Sequence, residues 1–476
     1  MTEHTSLPPF LIAWDEAARR AAGALPANVL DAARRSWFDT VAVTAAGVHE
    51  NCTQAALQAC APIAAEALPP ADAALALGAA SHALDYDDVC MLATCHPSAP
   101  VVAAMLALLP VLRQQRPGLS WGELLGAYTL GTETSLRLGA WLGFRHYGLG
   151  FHATDTLGVV GVAATVSQLL GLATPQSHAA LAIAASNSSG LRANFGTDTK
   201  PLHVGFAAAA GLRAALLARA GADASNDVWG PSGFFLAYGG GEAMTPLQWS
   251  ADTDWALVQP GFEHKRFPSC YLTHRLIAGI LALRTRHAHY AGDPMRIDIE
   301  VPCNGLTALK YPEPVNGLQG KFSGPYCAAV AWIDGRAELP SFSDAAVQRP
   351  ALRAQMRDVS LRERSEAGER LDTAPVHVTV RGDGWSDSIN VDWAPGSPAD
   401  PMTREQLQAK WRDCTARSGL PADAAAVTAL LDAPLDTPAS ALLQPLRTLL
   451  LSAMSSDAAG RTRGDMKNTT HMTHAA

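Results

Sequence analysis

The hydrophobic period of this chain changes once, and that change constrains its fold more than any other feature. From about residue 10 to 260, Ala- and Leu-rich runs carry apolar residues at helical spacing, separated by short Gly, Pro and Ser punctuation. Near residue 295 the period drops to two: "MRIDIEVP" alternates Ile297, Ile299 and Val301 with polar neighbours, which predicts a strand. "VHVTVRGDGWSDSINVDW" alternates Val376, Val378 and Val380, turns through Gly382-Asp383-Gly384 and returns through Ile389 and Val391, the pattern of a β-hairpin. Helical pattern resumes after "WAPGSPADP", where Thr403 and Gln406 form a capping box. The expected fold is mainly α with an inserted α+β domain. A chain of 476 residues, 48% of them hydrophobic, is long enough to give each part its own core.

Within the helical part, Ser120 with Glu123 predicts a capped helix start. Thr174 followed by Pro175 predicts another, for a helix ending at Gly190. The polar segment from about Ser455 is expected to be disordered. A net charge of −8 argues against a nucleic-acid partner, since phosphate binding needs a basic face. No window of 18 apolar residues is free of charges and turn signals, and the N-terminus lacks a basic segment before a long apolar run. The expectation is therefore no membrane partner and a cytoplasmic protein. The eight cysteines, at 52, 60, 90, 95, 270, 303, 327 and 414, include no CxxC pair and are expected to be reduced and mostly buried.

"SHALDYDDVCMLATCHPSAP", residues 81–100, concentrates titratable groups in a chain otherwise poor in charge. Zinc would need converging thiolates and imidazoles, but neighbours Cys95 and His96 do not easily share one ion and no second cluster completes the set. Magnesium bound as in terpene cyclases would need a second motif, and at "NDVWGPSGF" Gly230 and Phe234 stand where its hydroxyl and carboxylate belong. No metal is expected. There is no P-loop, no strand-GxGxxG-helix unit and no GxSxG elbow. Cys270 beside His274 could be a nucleophile, although a cysteine next to an apolar run is more often structural.

More informative is where the cations stand. His96 precedes one predicted helix, His152 precedes a second, and Lys200 opens a third, with Ser98, Thr154 or Asp155, and Thr199 as candidate caps. A helix N-terminus disfavours cations by several tenths of a kcal/mol each, roughly, so three such placements run against the usual pattern. They make sense if the ends meet around a bound anion and the same field keeps an imidazole neutral as a base. Asp85 stands near a helix C-terminus, where a carboxylate is equally unfavourable, and could orient an imidazole. Taken singly, each could instead be an exposed loop residue. "HKRFPSCYLTHR" adds Lys265, Arg266 and His274 as a candidate anion-binding wall, with a solvated basic loop as the alternative. Tyr326, before an apolar helix, is a candidate proton donor or a core tyrosine.

The ordered segments "HALDYDDV", "HPSAP", "GFHATDTLGVVGVAA", "SGLRANFGTDTKPLHVG", "KRFPSCYLTH" and "KFSGPYCAAVA" resemble the MmgE/PrpD family, which includes 2-methylcitrate dehydratase, cis-aconitate decarboxylase and iminodisuccinate epimerase. The resemblance implies a helical domain built from residues 1–266 and 401–455, an α+β lid domain over 267–400, a 456–476 tail, a homodimer and no cofactor. It places Asp85, His96, His152, Lys200, His274 and Tyr326 in the active site. The chain departs from the family's patterns at Val89, where the decarboxylase branch has threonine, and in lacking the Asn and Trp of "DFNDTW", associated with the dehydratase. The implied activity is proton transfer at the carbon next to a carboxylate of a small di- or tricarboxylate, foremost a 2-methylcitrate-dehydratase-like hydro-lyase. An epimerase, a decarboxylase and a catalytically silent polycarboxylate-binding dimer stand beside it.

Overall fold

Apolar residues occupy most positions of the early helices, so these helices are buried almost all round instead of carrying one apolar stripe. The structure is a computed structural model that describes residues 7–60, 67–241, 249, 254–290, 295–365, 371, 373–421 and 425–461. Helices Ala27–Gly47, Pro70–His82, Ser98–Gln115, Trp121–Gly148, Ala153–Leu169 and Thr199–Arg219 form the centre of the larger part. Their core runs from Phe10 to Phe262 and takes in Trp411, Leu443 and Met454 from the C-terminal helices Arg404–Ser418 and Ala439–Arg461. Small residues let these helices approach closely. A Cβ built on Gly78 would lie 2.7 Å from Gly205 Cα, so Pro70–His82 and Thr199–Arg219 touch backbone to backbone.

The smaller part is a four-stranded sheet, β1 (Arg296–Val301), β2 (Val359–Glu363), β3 (Val376–Gly382) and β4 (Trp385–Val391), in the order β2-β1-β3-β4. The hairpin β3–β4 turns at Asp383-Gly384, with Gly384 at φ +76°. β1 and β2 pair in parallel, which requires a long crossover, here containing helices Gly324–Asp334 and Pro350–Met356. Ile297, Ile299, Val378 and Val380 are buried in a second core with Leu276, Ile280 and Trp332. β2 was not anticipated: in "VSLRE" only Val359 and Leu361 alternate with polar neighbours, and this edge strand is half exposed.

The capping boxes at Ser120 and Thr403 form as predicted. Elsewhere the ends move by a residue or more. Ala173, not Thr174, caps a helix that stops at Ala185, well before Gly190. Pro97, His152 and Asp198 occupy the N-cap positions assigned to Ser98, Thr154 or Asp155, and Thr199. The C-terminal helix continues to Arg461, past the expected start of the tail, and residues 462–476 lie outside the described residues. Helix Thr199–Arg219, with mean hydropathy 1.4, is long and apolar enough to cross a membrane by length and composition, and 61% of that window is buried within the fold.

Candidate active site

Asp85 lies in the turn that follows helix Pro70–His82, at φ +52°, a left-handed conformation that a non-glycine residue adopts only when its surroundings hold it there. This turn sends the chain back on itself, so that Asp87 returns to His82: its two carboxylate oxygens both lie 2.9 Å from His82 Nδ1. The same carboxylate faces His96 Nδ1 at 3.2 Å. Asp87 is fully buried, and His82 and His96 beside it hold its carboxyl well below the usual range even against burial.

Two ammonium groups converge on Asp85. Lys200 Nζ lies 2.7 Å and Lys265 Nζ 3.1 Å from Oδ1, and this pair keeps the Asp85 carboxyl ionised despite its burial. Lys200 Nζ also lies 2.7 Å from His82 Nε2. An ammonium has no acceptor, so His82 must accept there and donate from Nδ1 to Asp87; this imidazole is neutral, its pKa pushed down to about 3 chiefly by burial. His96 turns Nδ1 toward the same carboxylate, and its Nε2 lies 3.8 Å from Asp85 Oδ1. Burial foremost, with Lys265 and Lys200 adding to it, depresses the His96 pKa. His152 Nδ1 lies 3.0 Å from His203 Nδ1, while its buried Nε2 has no protein partner. Burial and Lys200 hold His152 neutral as well.

Asp85, His96, His152, Lys200 and Lys265 line one end of a cavity between the two parts of the chain. Leu272, Asn304, Thr307, Ala308 and Phe322 face it from the other side, and Val89, Met91 and Thr94 from a loop pinned by the Cys90–Cys95 backbone pair. The helix starts anticipated from sequence do converge here. His96 lies two residues before helix Ser98–Gln115, His152 caps Ala153–Leu169, and Lys200 is the second residue of Thr199–Arg219. The His96 amide donates to Thr154 Oγ1 at 3.1 Å, tying the first two starts together.

Five of the eight residues singled out from sequence, Asp85, His96, His152, Lys200 and Lys265, line the cavity. Three do not. Tyr326 is fully buried in the second core and its hydroxyl donates to Ser341 O, which places it away from a substrate. His274 opens helix His274–Arg286 below the cavity floor, with Nε2 3.3 Å from Ser269 O. Arg266 lies alongside Phe267, its carbonyl accepting from Tyr86. Cys270 borders the cavity, but burial pushes its thiol up to about 11, so it is no ready nucleophile.

His82 and Asp87 were not anticipated, although both stand in the segment "SHALDYDDV". Their spacing gives no helical or strand proximity; only the left-handed turn at Asp85 brings them together. With Asp85 and His96 they offer four ligand atoms within 4.8 Å of one another, the strongest metal-like cluster among the described residues. Lys200 Nζ, however, is within hydrogen-bond distance of both His82 Nε2 and Asp85 Oδ1. The cluster is organised around an ammonium, which supplies the positive charge a divalent ion would otherwise bring.

Residues 15–247 match the model of the MmgE/PrpD N-terminal domain and residues 267–436 that of the MmgE/PrpD C-terminal domain. The chain belongs to the MmgE/PrpD family. Among curated MmgE/PrpD relatives, the cis-aconitate decarboxylase of Homo sapiens is 31% identical over 356 residues, 72% of each chain. That of Mus musculus is 30% identical with the same coverage, and that of Aspergillus terreus 26% identical over 82% of this chain and 85% of its own.

Proposed function

We propose that this MmgE/PrpD protein is a lyase that removes CO₂ from a small unsaturated tricarboxylate of the cis-aconitate type, using only its own side chains. The observation that carries the reading is the cavity lined by two ammonium groups, of Lys200 and Lys265, and two imidazoles, of His96 and His152, the latter with Nε2 unpartnered among the described residues, in a chain whose relatives include cis-aconitate decarboxylases. Those relatives favour decarboxylation over the hydro-lyase reaction that the family resemblance put foremost.

The chemistry needs a proton and a place for transient charge. As the C–CO₂ bond breaks, its electron pair forms a new C=C, and the pair of the old C=C moves to the carbon next to a second carboxylate. That carbon takes one proton, so each turnover consumes one proton and releases one CO₂. Negative charge spreads onto the adjacent carboxylate as the step proceeds. Lys200 has hydrogens on His82 and Asp85 and a third left for that carboxylate, beside Lys265. His96 is the better-placed proton carrier, because it lines the cavity with the Asp87 carboxylate 3.2 Å behind its Nδ1, where that charge favours the imidazolium that carries the proton.

In the free protein burial, with the ammonium groups adding to it, keeps His96 and His152 neutral. A substrate bearing three carboxylates reverses that field and raises both pKa values, so binding takes up protons and tightens as the pH falls. Calorimetric titration with the unreactive propane-1,2,3-tricarboxylate at pH 7.5, in buffers of different ionisation enthalpy, should show uptake of about one proton. Binding with no uptake would remove His96 and His152 from this role.

Product identity tests the reading directly. Protein incubated with cis-aconitate, 2-methylcitrate, citrate or iminodisuccinate in D₂O is followed by NMR. The expected result is methylidenesuccinate from cis-aconitate, with one deuterium on the formerly vinylic carbon. Dehydration of 2-methylcitrate with cis-aconitate untouched would make the protein a hydro-lyase, and exchange into iminodisuccinate alone an epimerase.

A further inference from the structure

The geometry points to Lys321 as a positioning residue through which the lid holds Asp85 in its working orientation. The inference rests on the reading of Asp85 as part of the active site. Three consecutive carbonyls of the left-handed turn each accept from a different lysine. Lys321 Nζ donates to Leu84 O at 2.7 Å, Lys265 Nζ to Asp85 O at 2.9 Å, and Lys410 Nζ to Tyr86 O at 2.8 Å. The lysines come from segments remote in sequence: Lys321 from the part that carries the sheet, Lys265 from the junction, and Lys410 from helix Arg404–Ser418. A turn with Asp85 at φ +52° is strained on its own, so charge-assisted bonds along its carbonyls are what keep it in that shape.

The three clamps are not equivalent. Lys410 is paired with Asp39 at 2.7 Å, and Lys265 with Asp85 itself. Lys321 is 2% exposed and, among the described residues, has no ion pair; its second bond goes to Pro268 O at 2.8 Å. Burial against neutral carbonyls is unfavourable for an ammonium and pushes its pKa down to about 7. Lys321 is therefore a poor stabiliser of the fold, and a methionine of similar length would relieve its desolvation. What methionine would lose are the two bonds that join the Leu84 turn to the start of the lid.

Lys321→Met, Lys321→Gln, Asp85→Asn and the double variant Lys321→Met/Asp85→Asn test this with cis-aconitate as substrate. Lys321→Met should keep or raise the thermal midpoint while kcat falls about 10- to 100-fold and KM changes little. Lys321→Gln, which retains amide donors, should fall between it and the parent. In the Asp85→Asn background Lys321→Met should cost little more, because the residue acts through Asp85. A folded Lys321→Met enzyme with unchanged kcat, or a loss that simply adds to that of Asp85→Asn, overturns the inference. If Lys321→Met does not fold, Lys321→Gln alone and with Asp85→Asn decides on the same criteria. An Asp85→Asn variant as active as the parent overturns the reading of the site instead.

Discussion

Asp87→Asn is expected to lower kcat about 1,000-fold or more without unfolding the protein, by analogy with the loss seen when an imidazole-orienting carboxylate becomes an amide. The carboxylate accepts the Nδ1 proton of His82 and faces His96 Nδ1 at 3.2 Å. An asparagine has one acceptor and one donor end, so it can satisfy only one ring in the present tautomer. If the amide NH₂ faces His96, that ring must move its proton to Nε2 and can no longer receive one from the cavity side. If it faces His82, the ring loses its acceptor at Nε2, and Lys200 loses the partner that aims it. Either outcome removes an essential orientation while preserving shape. Steady-state kinetics with thermal melting of the variant check the result; kcat within tenfold of the parent would mean that Asp87 does not set the tautomers.

A second large effect concerns stability in acid. His82, His264 and His274 are buried, with pKa values pushed down to about 3, and His203 to about 4, chiefly by desolvation. In the unfolded chain they titrate near 6.5, so the stability that depends on their neutrality is complete above that pH and is lost as the pH falls toward 4. Unfolding in that window takes up about four protons from these groups. Asp88 and Asp155 act in the opposite sense. Burial raises them to about 8 and about 7, so unfolding releases about two protons as they ionise. His96, His146 and His152 are lowered as well, and Asp39, Glu133 and Asp413 raised, so the lowered imidazoles outnumber the raised carboxyls and stability should fall as the pH drops from 6.5 toward 4. Urea unfolding at intervals from pH 7.5 to 4.5 measures this slope, and stability that is flat or rises toward pH 5 would contradict it.

The sequence disclosed the residues whose placement breaks a local rule. Lys200, His152 and His96 sit at helix starts, where cations are disfavoured, and all three line the cavity. The division between helical and sheet-bearing parts was equally legible, because side-chain period is a local property. What stayed hidden depends on distant chain segments or on a single backbone torsion. His82 and Asp87 pair only because Asp85 turns left-handed, and Lys321 and Lys410 reach the turn from far along the chain. Tyr326 looked like a site residue because it opens an apolar helix, yet that helix buries its first turn in the lid's own core. β2 was missed because its alternation is only two apolar residues long, Val359 and Leu361, on a half-exposed edge strand.

The contact between Gly78 and Gly205 lies about one helical turn from both His82 and Lys200. Two backbones in van der Waals contact define the narrowest spacing that helices can have, and they define it without a side chain that could rotate or compress. The backbones that carry His82 and Lys200 are thus held at a separation set by the thickness of the polypeptide itself. A single methyl group added at either glycine would arrive at the chemistry as a displacement of the lysine, so the tolerance of the active site is set where no functional group is present.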